Sequence, residues 1–173
     1  MKLFEEFDHA IYRRARHRKN RKHILIPTIL TTFALLILIA ALEGVNLDLR
    51  NNVGYSAIIF TSFASSAFIL FITPYARSSS VRRFVVSYAI GAVFGELGYL
   101  LSGTIGFYAS AAFVVFFVAL ILFETDNAHP PAIGLAFAFV IFQVDYAGLF
   151  VVVAGVVVLA LIKVAIEKLQ INP

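Results

Sequence analysis

Residues 124–132 read ETDNAHPPA and interrupt an otherwise apolar chain, between the runs Phe107–Phe123 and Ala132–Val144. Two acids, an amide, a histidine and two prolines are costly at the edge of a hydrocarbon layer, so the cluster points to a functional site. His129 can donate, accept or carry a proton. Pro130 and Pro131 suit the first helical position, where a missing N–H costs nothing. Asn127 or Asp126 before them is a suitable capping type. A helix starting there would offer unsatisfied N–H groups and a positive dipole end, a seat for a small anion. The same residues fit a second role, a buried histidine that fixes a tight turn.

The acids pull the other way. Glu124 and Asp126 repel an anion unless paired or protonated. Arg77, Arg82 and Arg83 lie on the same expected side and could neutralise them. Left unpaired, the acids would favour a cation or a proton relay. Glu96, inside the run Phe84–Leu101, is a candidate gate or proton carrier, or a carboxylate reaching for the outer interface. Ser62, Ser65 and Ser66 sit in the run Val53–Thr73. Each could bond its own helix backbone, or together they could line a polar path, with Ser65 and Ser66 facing His129. Gly91, Gly95 and Gly98 form a small-residue face for close helix packing.

The elements that must position these groups are apolar runs. Six occur: Ile24–Leu42, Val53–Thr73, Phe84–Leu101, Phe107–Phe123, Ala132–Val144 and Gly148–Ile162. The expected fold is an all-α membrane protein, a polytopic helical bundle of six apolar spans. The fifth run is short: its thirteen residues rise roughly 20 Å as a helix, against about 30 Å of hydrocarbon. The HPP turn would then lie below the membrane surface, enclosed by protein. The alternative is four spans, with runs four and five forming a re-entrant pair. The segments ASSAFILF (Ala64 to Phe71) and IGLAFAFV (Ile133 to Val140) echo each other faintly. Both would lie in the second span of a three-span half, as in a 3+3 inverted repeat.

Charge sets the orientation. Eight of the 14 Lys and Arg residues precede residue 24, and an even number of spans puts 13 of the 14 on one side. By the positive-inside rule that side is cytoplasmic, so both termini face inward, in a cell (inner) membrane. Residues 1–23 form a basic cytoplasmic segment, 24–165 the transmembrane domain and 166–173 a short cytoplasmic tail. The run after residue 23 reads as a retained signal anchor. Leu3, Phe7 and Ile11 share one helical face in the basic segment. It is a topology determinant at the lipid surface, and anionic lipid headgroups are its expected partner.

Composition excludes several classes. Of 173 residues, 61% are apolar and 14% charged, where a soluble domain would be near half apolar and a quarter charged. Without cysteine there is no disulfide and no thiolate metal site. Zinc-protease, serine-hydrolase and P-loop signatures are missing. We therefore expect no enzyme, no cofactor, no metal and no nucleic-acid partner. A chain this small has few helices to enclose a path, so a homo-oligomer is expected.

Three stretches resemble the HPP family of integral membrane proteins. They are the run after RKH, ASSAFILFITPYARSSSVRRFVVSYAIG (Ala64 to Gly91) and ETDNAHPPAIGLAFAFV (Glu124 to Val140). Together they extend over roughly Lys22 to Lys163. His129, Pro130 and Pro131 match the name-giving triplet, and Ser66 and Arg83 match retained positions, Arg83 as a charge partner. Ala64 stands where the family often has Gly, and Val86-Ser87 replace Gly-Gly. Family members in cyanobacteria and plastids act as nitrite transporters, so the resemblance implies transport of a small inorganic anion, nitrite first. The expected anion-binding residues are Asn127, His129, Pro130, Pro131, Ser65 and Ser66. Glu96, Glu124 and Asp126 are the expected gating or proton-coupling groups. A cation or proton pathway and a non-transporting scaffold or sensor subunit are the rival functions.

The charge pattern has a direct test. Single cysteines at Asn20 and Asn172 should both resist a membrane-impermeant thiol reagent applied outside intact cells. Labelling of one and not the other would refute an even number of spans.

Overall fold

The computed structural model describes residues 22–44, 53–73 and 76–168. Nearly all of the basic segment, with its expected lipid contact, lies outside these residues, as does the end of the tail. The described chain is all helix and turn, with helices α1 (Lys22–Gly44), α2 (Val53–Ile72), α3 (Val81–Ile105), α4 (Phe107–Glu124), α5 (Pro131–Ile141) and α6 (Ala147–Lys168). A 3₁₀ turn, Arg77–Ser79, precedes α3, and residues Ile58–Phe63 of α2 have π geometry. All six expected apolar runs are helical. Four helices, α2, α3, α4 and α6, have the length and apolarity of a membrane crossing, while α5 and the stretch Thr28–Ala40 of α1 are shorter.

Local chemistry explains the breaks. Gly106 alone separates α3 from α4 and has φ of +85°. Glycine takes that conformation without a Cβ penalty, so two long helices reverse over one residue. Asp126 and Gln143 also have positive φ, 54° and 49°. Each follows a helix end. Asn127 N–H donates to Leu122 O at 3.0 Å and Val144 N–H to Phe139 O at 2.9 Å. These six-to-one bonds close α4 and α5 as Schellman-type caps, with a polar residue in place of the usual glycine.

Helix α5 is the centre of the bundle, packed on α3, α4 and the π stretch of α2. Between apolar helices in lipid there is little hydrophobic drive, and close contact of small residues holds them. The glycine face of α3 serves that contact. Gly91 faces the backbone of Ala132, Gly95 faces Ala136 and Phe139, and Gly98 faces Val114 and Val140. These glycines are buried inside the protomer, so they no longer argue for self-association. Gly155 of α6 likewise receives the ring of Phe63 from α2.

The Gly91 contact is backbone against backbone: a Cβ there would stand 2.6 Å from Ala132 O. Gly91→Ala should therefore destabilise the protein by about 1–3 kcal/mol, the usual cost of overpacking. Gly103→Ala meets nothing within 4 Å and should be neutral or stabilising by up to about 1 kcal/mol. Thermal unfolding in detergent measures both. Equal melting temperatures for the two variants would contradict the packing.

Candidate functional site

Pro131 opens α5 as the sequence suggests. The turn before it is tight, with Ala132 N–H bonded to His129 O at 3.0 Å and Ile133 N–H to Pro130 O at 3.1 Å. The first amides of α5 are thus already engaged by the HPP turn itself. An anion at this end would meet side chains before it met these backbone N–H groups.

His129 is fully buried and bonded through both ring nitrogens. Nδ1 lies 2.8 Å from Ser78 O, in the segment before α3. A carbonyl only accepts, so Nδ1 carries the proton. In the neutral ring Nε2 then accepts, and Ser66 of α2 donates to it at 2.7 Å. The Ser66 oxygen in turn accepts from the Tyr88 hydroxyl of α3, also at 2.7 Å. The result is a directed relay, Tyr88 to Ser66 to His129 to the Ser78 carbonyl. Burial lowers the His129 pKa below its ordinary 6.5, opposed in part by the Ser78 bond. The ring is therefore neutral near pH 7, as the relay requires.

Aromatic rings enclose the relay. Phe63 stacks on Tyr88 at 5.0 Å, and Phe84 meets Tyr88 at 4.7 Å and the His129 ring edge-on at 5.4 Å. Ser87, one residue before Tyr88, donates to Asn127 O, and the Asn127 side chain bonds Thr125 O at 3.0 Å. Asn127 is buried, and its groups hold the loop to α3.

Charge gathers at the rim. Asp126 Oδ2 receives Arg77 at 2.9 Å and Arg83 at 2.6 Å. Arg83 is mostly buried, while Arg77 and Asp126 are well exposed. Two guanidinium groups on one carboxylate leave an excess positive charge on this ion-pair cluster, with the exposed Glu124 at the other end of the turn.

The expected site residues separate into groups. His129, Ser66, Asn127, Asp126 and Arg83 come together. Ser65 does not join them: it is exposed and bonds Thr61 O one turn back at 2.7 Å. Pro130 and Glu124 are exposed, and Pro131 is half-buried. Glu96 stands elsewhere, eight residues beyond Tyr88 on α3, about 12 Å along the helix. Its neighbourhood is that of Asp145, whose carboxylate accepts from Tyr55 at 3.0 Å and Ala147 N–H at 3.1 Å. Sequence reasoning gave Tyr88, Ser87 and the Ser78 carbonyl no role. A tyrosine beside a serine within an apolar run was the available signal for the first two. A backbone acceptor leaves no trace in sequence.

The sequence model described as HPP, transmembrane region, matches residues 16–173. This chain belongs to the HPP family. That membership, with the apolar helices, makes it a multi-pass membrane protein. No curated protein and no solved structure matches this HPP chain.

The relay distinguishes two substitutions. Tyr88→Phe removes one donor and leaves the Ser66–His129 bond intact, costing about 1 kcal/mol. Ser66→Ala strands both the Tyr88 hydroxyl and His129 Nε2, at about 1–3 kcal/mol for each orphaned group. Ser66→Ala should therefore lower the melting temperature in detergent more than Tyr88→Phe. The opposite order would break the proposed direction of bonding.

Proposed function

We propose that this HPP-family protein carries a small inorganic anion across the membrane, with nitrite the first candidate. The observation that supports an anion over a cation is the rim charge. Asp126, which would repel an anion, is held by both Arg77 and Arg83, so the entry stays positive. Such a rim concentrates anions through its field. Beneath it the hydroxyl protons of Ser66, Tyr88 and Ser87 are already donated within the protein, so these groups hold the loop in place under the rim. His129 acts here as the tie that positions Ser66 and Tyr88 and keeps the HPP turn at depth. Neutral His129 adds no charge of its own.

The proposed frame is six crossings with both termini cytoplasmic, α1–α3 and α4–α6 being inverted halves. The contact of α2 with α5, the second helix of each half, supports that relation. The short α5 would be the half-helix of a broken span.

Glu96 supports a second, compatible role. Its Oε2 is buried with no hydrogen-bond partner, and Asp145 is its electrostatic neighbour. A carboxylate so placed can hold a proton, and we assign it the coupling of anion and proton movement.

Flux into liposomes containing purified protein tests both roles, comparing nitrite, nitrate, chloride and formate. Arg83→Gln should lower anion flux about tenfold, equivalent to ~1.4 kcal/mol of lost attraction. Lys168→Ala should leave it unchanged. Glu96→Gln should keep flux but remove its response to a pH gradient. Absence of anion flux from the wild-type protein would eliminate the transport reading in favour of a scaffold or sensor subunit.

A further inference from the structure

Among the described residues, two buried side-chain polar atoms lack a hydrogen-bond partner: Ser62 Oγ and Glu96 Oε2. Glu96 already has a proposed role. Ser62 does not, and it is fully buried. A serine in a membrane helix ordinarily bonds a carbonyl one turn back. Ser65 and Thr73 of the same segment do so, to Thr61 O at 2.7 Å and Ile69 O at 2.9 Å. Ser62 departs from this habit inside the π stretch Ile58–Phe63. Single π turns within α-helices recur at functional sites, where they re-aim side chains. An unpaired buried hydroxyl costs about 1–3 kcal/mol, so its persistence calls for a use.

The hydroxyl has a definite direction. It faces Gly134, in the first turn of α5. A Cβ on Gly134 would find Ser62 Oγ at 3.9 Å and no atom of another helix nearer. Gly134 is exposed although it lies on the central helix. The missing Gly134 side chain therefore leaves about the room of one methyl group between the buried hydroxyl and the exposed side of α5. Ser66, one turn further along α2, belongs to the His129 relay.

We propose that the seam between Ser62 and Gly134 is a second seat for the solute, one that takes an oxygen of a small oxyanion. Ser62 O–H donates to that oxygen. The first turn of α5 adds the positive end of its dipole, which acts over about one turn. The absent side chain of Gly134 leaves the room. A monatomic halide or an oxyanion could use a single donor, but the seat lies between two helices and favours a flat, narrow anion such as nitrite, nitrate or formate. This inference rests on the anion-transport reading and names where the anion pauses beyond the rim.

The test uses accessibility. The natural chain has no cysteine, so Gly134→Cys introduces a single thiol. In liposomes it should react with the water-soluble reagent methanethiosulfonate ethylsulfonate. Saturating sodium nitrite should slow that reaction. Adding Ser62→Ala should weaken the nitrite protection about tenfold, the loss expected when one hydrogen bond worth ~1.4 kcal/mol is removed. Ser62→Cys, labelled in the same way, provides a second reporter should Gly134→Cys fold poorly. Size-exclusion profiles and melting temperatures identify folded variants. Thiols that react only with a lipid-soluble maleimide would place the seam against lipid and overturn the seat. Labelling that nitrite, nitrate and formate all fail to slow would also overturn it, as would protection indifferent to Ser62→Ala. Wild-type flux is measured in parallel. Protection without flux keeps the seat and removes the transport reading. Flux without protection does the reverse.

Discussion

The bundle turns on the two hydrogen bonds of one buried imidazole. His129 sits in the loop between α4 and α5, yet its ring nitrogens bind the segment before α3 and the middle of α2. A buried ring with either nitrogen unsatisfied would be costly, so the loop, α2 and α3 must keep their places together. Tyr88 completes the set from the third side. The HPP turn is thereby pulled into the protein, and α5 begins beside buried groups. In the proposed six-crossing frame a helix of eleven residues would stand where a full crossing needs about twenty.

The glycine face of α3 is the second half of the same arrangement. Polar bonds hold the start of α5, and close backbone contact at Gly91, Gly95 and Gly98 holds its length. Helices in lipid gain little from simple apolar burial, so small residues and interhelical hydrogen bonds must supply specificity. Here the two devices occupy successive levels of one interface. Above them lies the charged rim, where one aspartate and two arginines join the loop to the region before α3. The polar groups form a column from exposed to buried, with charge at the top and neutral hydroxyls below. That gradient matches the cost of burial, since neutral polar groups are far cheaper than ions to remove from water.

Much of this was legible in the sequence because its causes are local. A run of apolar residues must be helical in a bilayer, since only a helix satisfies its own backbone there. All six runs are helices. The proline pair had to start a helix, and it does so at Pro131. The match of residues 16–173 to the HPP family also needed no structure, because it lies in residue order. The orientation implied by the basic residues comes from sequence alone, through the cost of moving charge across the membrane.

Other features were decided only by tertiary contact. Ser65 and Ser66 are adjacent and alike in type, and sequence gives no reason to separate them. A helix places neighbours about 100° apart, so one meets His129 while the other faces outward and bonds its own backbone. The glycine pattern announced close packing without naming a partner, and the partner is α5 within the same chain. Nothing local marks the Ser78 carbonyl as the acceptor that sets the His129 tautomer, since every residue has a carbonyl. Ser62 is set apart by the π stretch and by Gly134 on another helix. The sequence determined which segments become apolar helices and which residue types travel with them. Packing decided which of those groups meet, because that depends on helix rotation and depth, and neither is written in residue order.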